Sequence, residues 1–85
     1  MKKLLQFKAS WCAPCSLLQP LIDKYSNLYD IISYDVDIDS EITQKYKIKS
    51  VPTIIIIDEE EEVRLVGQQI NKQSLDENVK VIIKK

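Results

Sequence analysis

Four consecutive isoleucines, Ile54–Ile57, constrain the fold of this chain more than any other feature. A β-branched run bounded by a proline and an aspartate reads as a strand. A strand with no polar side must be covered on both faces, as in the centre of a layered α/β sheet. The proline of "VPTIIIID" stands at the first positions of the strand, where a missing N–H is tolerated. At 85 residues the chain makes one small domain, residues 1–85, with a single core.

The elements that must supply those layers can be read around this strand. "KLLQFK", residues 3–8, is a first strand ending at "AS". Leu17, Leu18, Leu21, Ile22, Tyr25, Leu28 and Tyr29 recur at helical spacing, with Pro20 expected to kink the helix rather than end it. "IISYDVD", residues 31–37, is a second strand. Asp39 or Ser40 can cap a short helix that carries Ile42 and Tyr46 at i, i+4. "EEVRLVG" alternates as a fourth strand, and the glycine-free "DEEEE" before it predicts a longer, solvated connection rather than a two-residue turn. Asn71 caps a last helix, with Ile70 and Leu75 as a hydrophobic staple, and Leu75, Val79, Ile82 and Ile83 continue at helical spacing. The order is βαβαββα. A right-handed parallel crossover joins the first two strands and an antiparallel hairpin the last two. The expected fold is α/β, a mixed four-stranded sheet flanked by three helices.

Charge and length exclude several function classes. Twelve basic residues against thirteen acidic ones give a net charge of -1, which supplies no basic field for nucleic acid and no polybasic membrane patch. The isoleucine run is far too short for a membrane span, and "MKKLLQFKAS" has too short an apolar stretch for a signal peptide. Met1 therefore reads as a cytoplasmic start.

The chemistry lies in "FKASWCAPCSLL", which holds the two cysteines of the chain, Cys12 and Cys15. As a structural staple they would close a very short loop and remove little entropy from the unfolded chain. As zinc ligands they make half a tetrahedral site, and with no histidine in the chain a metal would need a dimer. As inert core residues, both would have to avoid the helix start that favours reactivity. The remaining reading is redox exchange. C-x-x-C falls where the first strand passes into the first helix, and Cys12 then meets unsatisfied N–H groups and the positive end of the helix dipole. That setting lowers a thiol pKa from about 8.5 to roughly 3.5–7.5. Cys15, one turn on, lies within bonding reach of Cys12, and its burial works the other way. Cys12 is therefore the nucleophile that attacks a substrate disulfide, and Cys15 resolves the mixed disulfide by closing the Cys12–Cys15 bridge. Pro14 occupies the first helical turn, where no N–H is needed.

"WCAPC" resembles the active-site segment of the thioredoxin family, usually W-C-G-P-C, with Ala13 in place of the glycine. The resemblance extends over Pro20, "DVDID", "YKIKSVPTI" and "VG" at 66–67, nearly the whole chain, without the family's usual N-terminal strand and helix. It implies the thioredoxin-like fold and a cis bond between Val51 and Pro52. It also implies an apolar substrate-docking surface of Trp11, Ala13, Pro14, Val51, Pro52, Val66 and Gly67. For Val66 the alternative is ordinary core packing, and for Gly67 a strand-end kink. The family's buried aspartate, six residues before the first cysteine, corresponds to Gln6 here, and its strand-two lysine to Asp35. The swap suggests Asp35 as the carboxylate that accepts the Cys15 proton, with Gln6 as its hydrogen-bond partner.

The resemblance further implies a cytoplasmic, monomeric protein-disulfide reductase with no bound cofactor and no metal. Its partners would be oxidised substrate proteins and a separate reductase delivering electrons from NADPH. Two rivals stand beside it: a glutathione-dependent, glutaredoxin-like reductase, and a non-catalytic adaptor built on the same fold.

Overall fold

A computed structural model describes residues 2–59 and 61–83, with side chains up to Glu77. The elements are β1 (Lys2–Lys8), α1 (Ala13–Asp23), β2 (Asp30–Asp35), α2 (Ser40–Lys45), β3 (Thr53–Asp58), β4 (Glu61–Val66) and α3 (Lys72–Ile83), with a 3₁₀ turn at Gly67–Gln69. They form one four-stranded sheet in the order β2-β1-β3-β4. β1 runs parallel to β2 and antiparallel to β3, and β3 is antiparallel to β4. The arrangement is the βαβαββα sheet expected from the pattern of elements.

The isoleucine run explains the layering. β3 is an interior strand, and Ile54, Ile55 and Ile56 are all fully buried. Alternation sends Ile54 and Ile56 to one face, where they join Leu4 of β1, Ile22 of α1 and Leu75 of α3. Ile55 goes to the other face with Leu5 and Phe7, against Ile42 and Tyr46 at α2. The Phe7 and Tyr34 rings stack there with centroids 5.3 Å apart. So α1 and α3 cover one face and α2 the other.

Capping fixes the start of α3. The Asn71 carbonyl oxygen accepts the Ser74 N–H at 2.9 Å, and Ile70 and Leu75 are buried together on either side of it. The side chains of Val79, Ile82 and Ile83 lie outside the described residues.

Four local expectations are corrected. First, β2 stops at Asp35 rather than running to Asp37. The Asp35 carboxylate accepts the Asp37 N–H and the Asp39 carboxylate accepts the Asp35 N–H, both at 2.9 Å. These bonds fold residues 36–38 into a turn. Second, Asp39 takes the cap position of α2 but gives its carboxylate to Asp35 instead of to the helix. Third, α1 passes through Pro20 but ends at Asp23, and Tyr25 and Leu28 are reached by i→i−3 turns. Leu17, read as part of the buried stripe, is 80% exposed. Fourth, Asp58 pairs directly with Glu61, so the β3–β4 connection is only two residues long. Glu59 meets that geometry with φ +56°, a conformation that glycine would normally supply. Its side chain is charged and solvated, so nothing in the core opposes the turn.

Candidate active site

The site forms where β1 runs out into α1. Ala9 ends the strand's buried stretch, and the Cys12 N–H donates to the Ala9 carbonyl at 3.1 Å. That turn delivers Cys12 as the N-cap of α1, in an extended conformation with φ −93° and ψ 98°. Pro14 follows in the first turn, where helix geometry leaves N–H groups without partners anyway. Cys12 and Cys15 are joined as a disulfide with Cα atoms 5.4 Å apart. The Cys15 N–H points at the Cys12 sulfur at 3.3 Å. A sulfur that accepts a helix-start N–H is held where negative charge is stabilised. The two sulfur residues are 5% and 3% exposed, sealed by Ala9, Val36 and Val51.

Facing them is the loop into β3. The Val51–Pro52 peptide bond is cis. Pro52 is buried and Val51 half-buried. The Pro52 carbonyl accepts the Gly67 N–H at 2.9 Å, which places the end of β4 beside the cis bond. Gly67 has φ +56° and opens the 3₁₀ turn, so its strand-end role is real. Val66 pairs with Thr53 and is half-buried. Trp11 is 67% exposed, and Ala13 and Pro14 are also exposed. Trp11 and Val51 share an apolar hollow with Val36 and Ile48.

Three residues of the site escape a reading of the sequence. Asp37 accepts the Trp11 indole N–H at 2.8 Å and so orients the exposed ring. The acidic alternation of "DVDID" hints at such a turn but does not say which acid faces the tryptophan. Gln19 and Ser33 are the others. Gln6 is only 1% exposed, and both ends of its amide are engaged: its N–H₂ donates to Gln19 at 2.9 Å, and its oxygen accepts the Ser33 hydroxyl at 3.0 Å. The expected Gln6–Asp35 pair is therefore corrected. The register sets Gln6 opposite Ser33, while Asp35 lies two residues further along β2, opposite Lys8. Asp35 shares a hollow with Cys15, Ser16, Gln19 and Lys8. Among the described residues no group of three or more Cys, Asp or Glu side chains is arranged to hold a metal ion.

A thioredoxin family model matches residues 1–81. The chain belongs to the thioredoxin family. Thioredoxin-2 of Saccharomyces cerevisiae is 37% identical over 82 residues, covering 89% of this chain and 79% of that protein. The thioredoxin of Staphylococcus epidermidis is 36% identical over 72 residues, covering 79% of this chain and 69% of its relative. In structure, thioredoxin 1 of Thermosipho africanus superposes with a TM-score of 0.85 at 25% identity, over 96% of this chain and 94% of that one. Membership and the Cys12–Cys15 bridge together make the protein a thiol–disulfide oxidoreductase that works by dithiol exchange. No helix among the described residues is long and apolar enough to cross a membrane.

Proposed function

We propose that the chain is a cytoplasmic, thioredoxin-type reductant of protein disulfides, recharged by a separate reductase that draws on NADPH. The observation that carries this reading is the Cys12–Cys15 disulfide at the N-terminus of α1, with Cys12 as the residue that receives the helix-start N–H. In the reduced protein the Cys12 thiolate attacks one sulfur of a substrate disulfide. The substrate bond breaks, one substrate sulfur leaves as a thiolate, and the other is held on Cys12. The Cys15 thiolate then attacks the Cys12 sulfur, releases the second substrate thiolate and leaves the bridge described above. Two electrons pass from the protein to the substrate.

Trp11, Ala13, Pro14, Val51, Pro52, Val66 and Gly67 form the docking surface of this reading. The exposed apolar rings and side chains next to the sulfurs support it, and Pro52, whatever its isomer, offers no N–H there. The backbone of Val51 is then available to pair with an extended substrate segment. The partners in this reading are oxidised proteins and a thioredoxin reductase, with the chain working as a monomer that binds no cofactor of its own.

The test is insulin disulfide reduction coupled to NADPH oxidation. Turnover is expected with a thioredoxin reductase and not with glutathione alone. Cys12→Ser abolishes it, and Cys15→Ser stops it after one mixed disulfide. Turnover with glutathione alone would move the protein to the glutaredoxin class. An inactive wild type would make it an adaptor.

A further inference from the structure

The exchange reading needs a base. The resolving cysteine attacks only as a thiolate, and Cys15 is almost fully buried, which favours its protonated form. Some group must take that proton during the second step. Gln6, on the same face of β1 and deeply buried, cannot: it is a neutral amide with both ends engaged, donating to Gln19 and accepting from Ser33. The inward route for the proton is closed by this lock of three neutral side chains.

The route that is open leads sideways. Cys15 lines a hollow with Lys8, Ser16, Gln19 and Asp35, and Asp35 is the carboxylate among them. The β1–β2 register puts Asp35 at the mouth of the sheet, on the Gln6 face but two residues nearer the cysteines. Its carboxylate is held in place by the Asp37 N–H at 2.9 Å. Asp37 in turn holds Trp11 at 2.8 Å, so the acid and the exposed ring beside Cys12 belong to one turn. The groups that face Asp35 are Lys8 from β1, Cys15 from α1, and Asp37 and Asp39 from its own turn.

We propose that Asp35 accepts the Cys15 proton through this hollow when Cys15 attacks the mixed disulfide. This rests on Cys15 being the resolving thiol. The S–H bond of Cys15 breaks and the proton passes to the Asp35 carboxylate, directly or over a water. The Cys15 sulfur bonds to Cys12, and the substrate sulfur leaves with the electron pair of the broken S–S bond. Asp35 then gives up its proton to the departing thiolate or to solvent. The Gln6–Gln19–Ser33 lock positions the helix without entering the proton transfer.

Rapid-quench kinetics with reduced protein and insulin separates the two steps. Mixed disulfide formation and Cys12 alkylation by iodoacetamide report the first, and release of the substrate thiol across pH 5–9 reports the second. Positioned bases contribute about 10²–10⁴-fold, and a hollow that admits water as a substitute acceptor reduces this, so Asp35→Asn is expected to slow release at pH 7 by about tenfold or more. The mixed disulfide then accumulates, the pH profile of release changes shape, and Cys12 alkylation is unchanged. Asp35→Glu recovers most of the rate. A release profile for Asp35→Asn that superposes on the wild type overturns the proposal while leaving the exchange reading intact. Equal losses in alkylation and release would also overturn it, since the residue would then be structural. A wild type that forms no mixed disulfide overturns both.

Discussion

The two faces of the sheet are built to different standards. On the α1/α3 face, Leu4, Ile22, Tyr25, Tyr29, Ile54, Ile56, Leu65, Ile70 and Leu75 form one closed cluster. On the α2 face only Leu5, Phe7 and Ile55 are buried to that degree, and the side chains around them stay partly open. The cause is in the covering elements. α1 and α3 have 11 and 12 residues, whereas α2 has six, none of them buried. Beyond the reach of α2, Ile32, Tyr34 and Ile57 line an open hollow. The redox pair sits at the start of α1, the helix that anchors the better-packed face, in a small cluster of its own with Ala9, Val36 and Val51. A strained or mobile α1 would spoil the sulfur geometry, and the packing beneath it prevents that.

The largest test of this contrast compares cavities on the two faces. Ile22→Ala removes a fully buried side chain from α1 and is expected to cost about 2–5 kcal/mol. Ile42→Ala removes a half-buried one from α2 and should cost about 1 kcal/mol. Urea midpoints measure both. A domain of this size has a total stability of only about 5–15 kcal/mol, so Ile22→Val, at about 0.5–1.5 kcal/mol, is the milder probe if Ile22→Ala does not fold. Equal costs at Ile22 and Ile42 would show that the faces are energetically alike despite their packing.

A smaller effect comes from two tyrosines of the same closed cluster. Tyr25 sits just past α1 and its hydroxyl is bonded to the Asp76 carboxylate on α3, tying the two helices together. Burial first, then that hydrogen bond and the Asp76 charge, push the Tyr25 pKa up from 10.0 to about 12. Burial and, behind it, Asp58 raise Tyr29 as well. The folded state therefore holds these protons more tightly than the unfolded chain. The contribution of Tyr25 to stability is complete below pH 10 and is lost as the pH climbs from about 10 towards 12, and that of Tyr29 is lost in the same direction. Thermal melts across that range should show a fall that Tyr25→Phe flattens. A wild-type profile identical to that of Tyr25→Phe would remove the α1–α3 tie from the account.

The same contrast marks what can be read from the sequence. The isoleucine run announced a strand covered on both sides, and C-x-x-C at a strand-to-helix junction announced the redox pair. Both are local patterns whose rival readings can be weighed from the chain alone. Coverage depth was not legible, because it depends on how far α2 extends over the sheet. Leu17 fitted the apolar spacing of α1 yet points outward, since a helical pattern does not say which edge of the stripe meets the sheet. The partners of Gln6 were equally hidden: Ser33 and Gln19 come from two other elements, and their meeting is set by strand register. β-propensity carries the second strand on to Asp37, two residues into the turn, because it ignores the side-chain-to-backbone bonds that compete with the ladder there.

The smallest effect lies at opposite ends of β4. Glu59, before the strand, and Gly67, after it, have the same left-handed φ of +56°. Only one of them is the residue that tolerates it. A non-glycine residue in that region costs roughly 1–2 kcal/mol, while glycine loses more freedom on folding, by roughly 0.5–1 kcal/mol. Glu59 borders the open hollow of the α2 face and packs into nothing that would hold it there, so Glu59→Gly should stabilise the protein by about 0.5 kcal/mol. A Cβ at Gly67 would meet nothing within 4 Å, so Gly67→Ala isolates the backbone cost and should destabilise by about 1 kcal/mol. Denaturant midpoints of the two variants should move in opposite directions. If Glu59→Gly instead destabilises, the charged tip contributes more to closing the α2 face than its turn geometry costs, and the difference between the faces is smaller than their packing suggests.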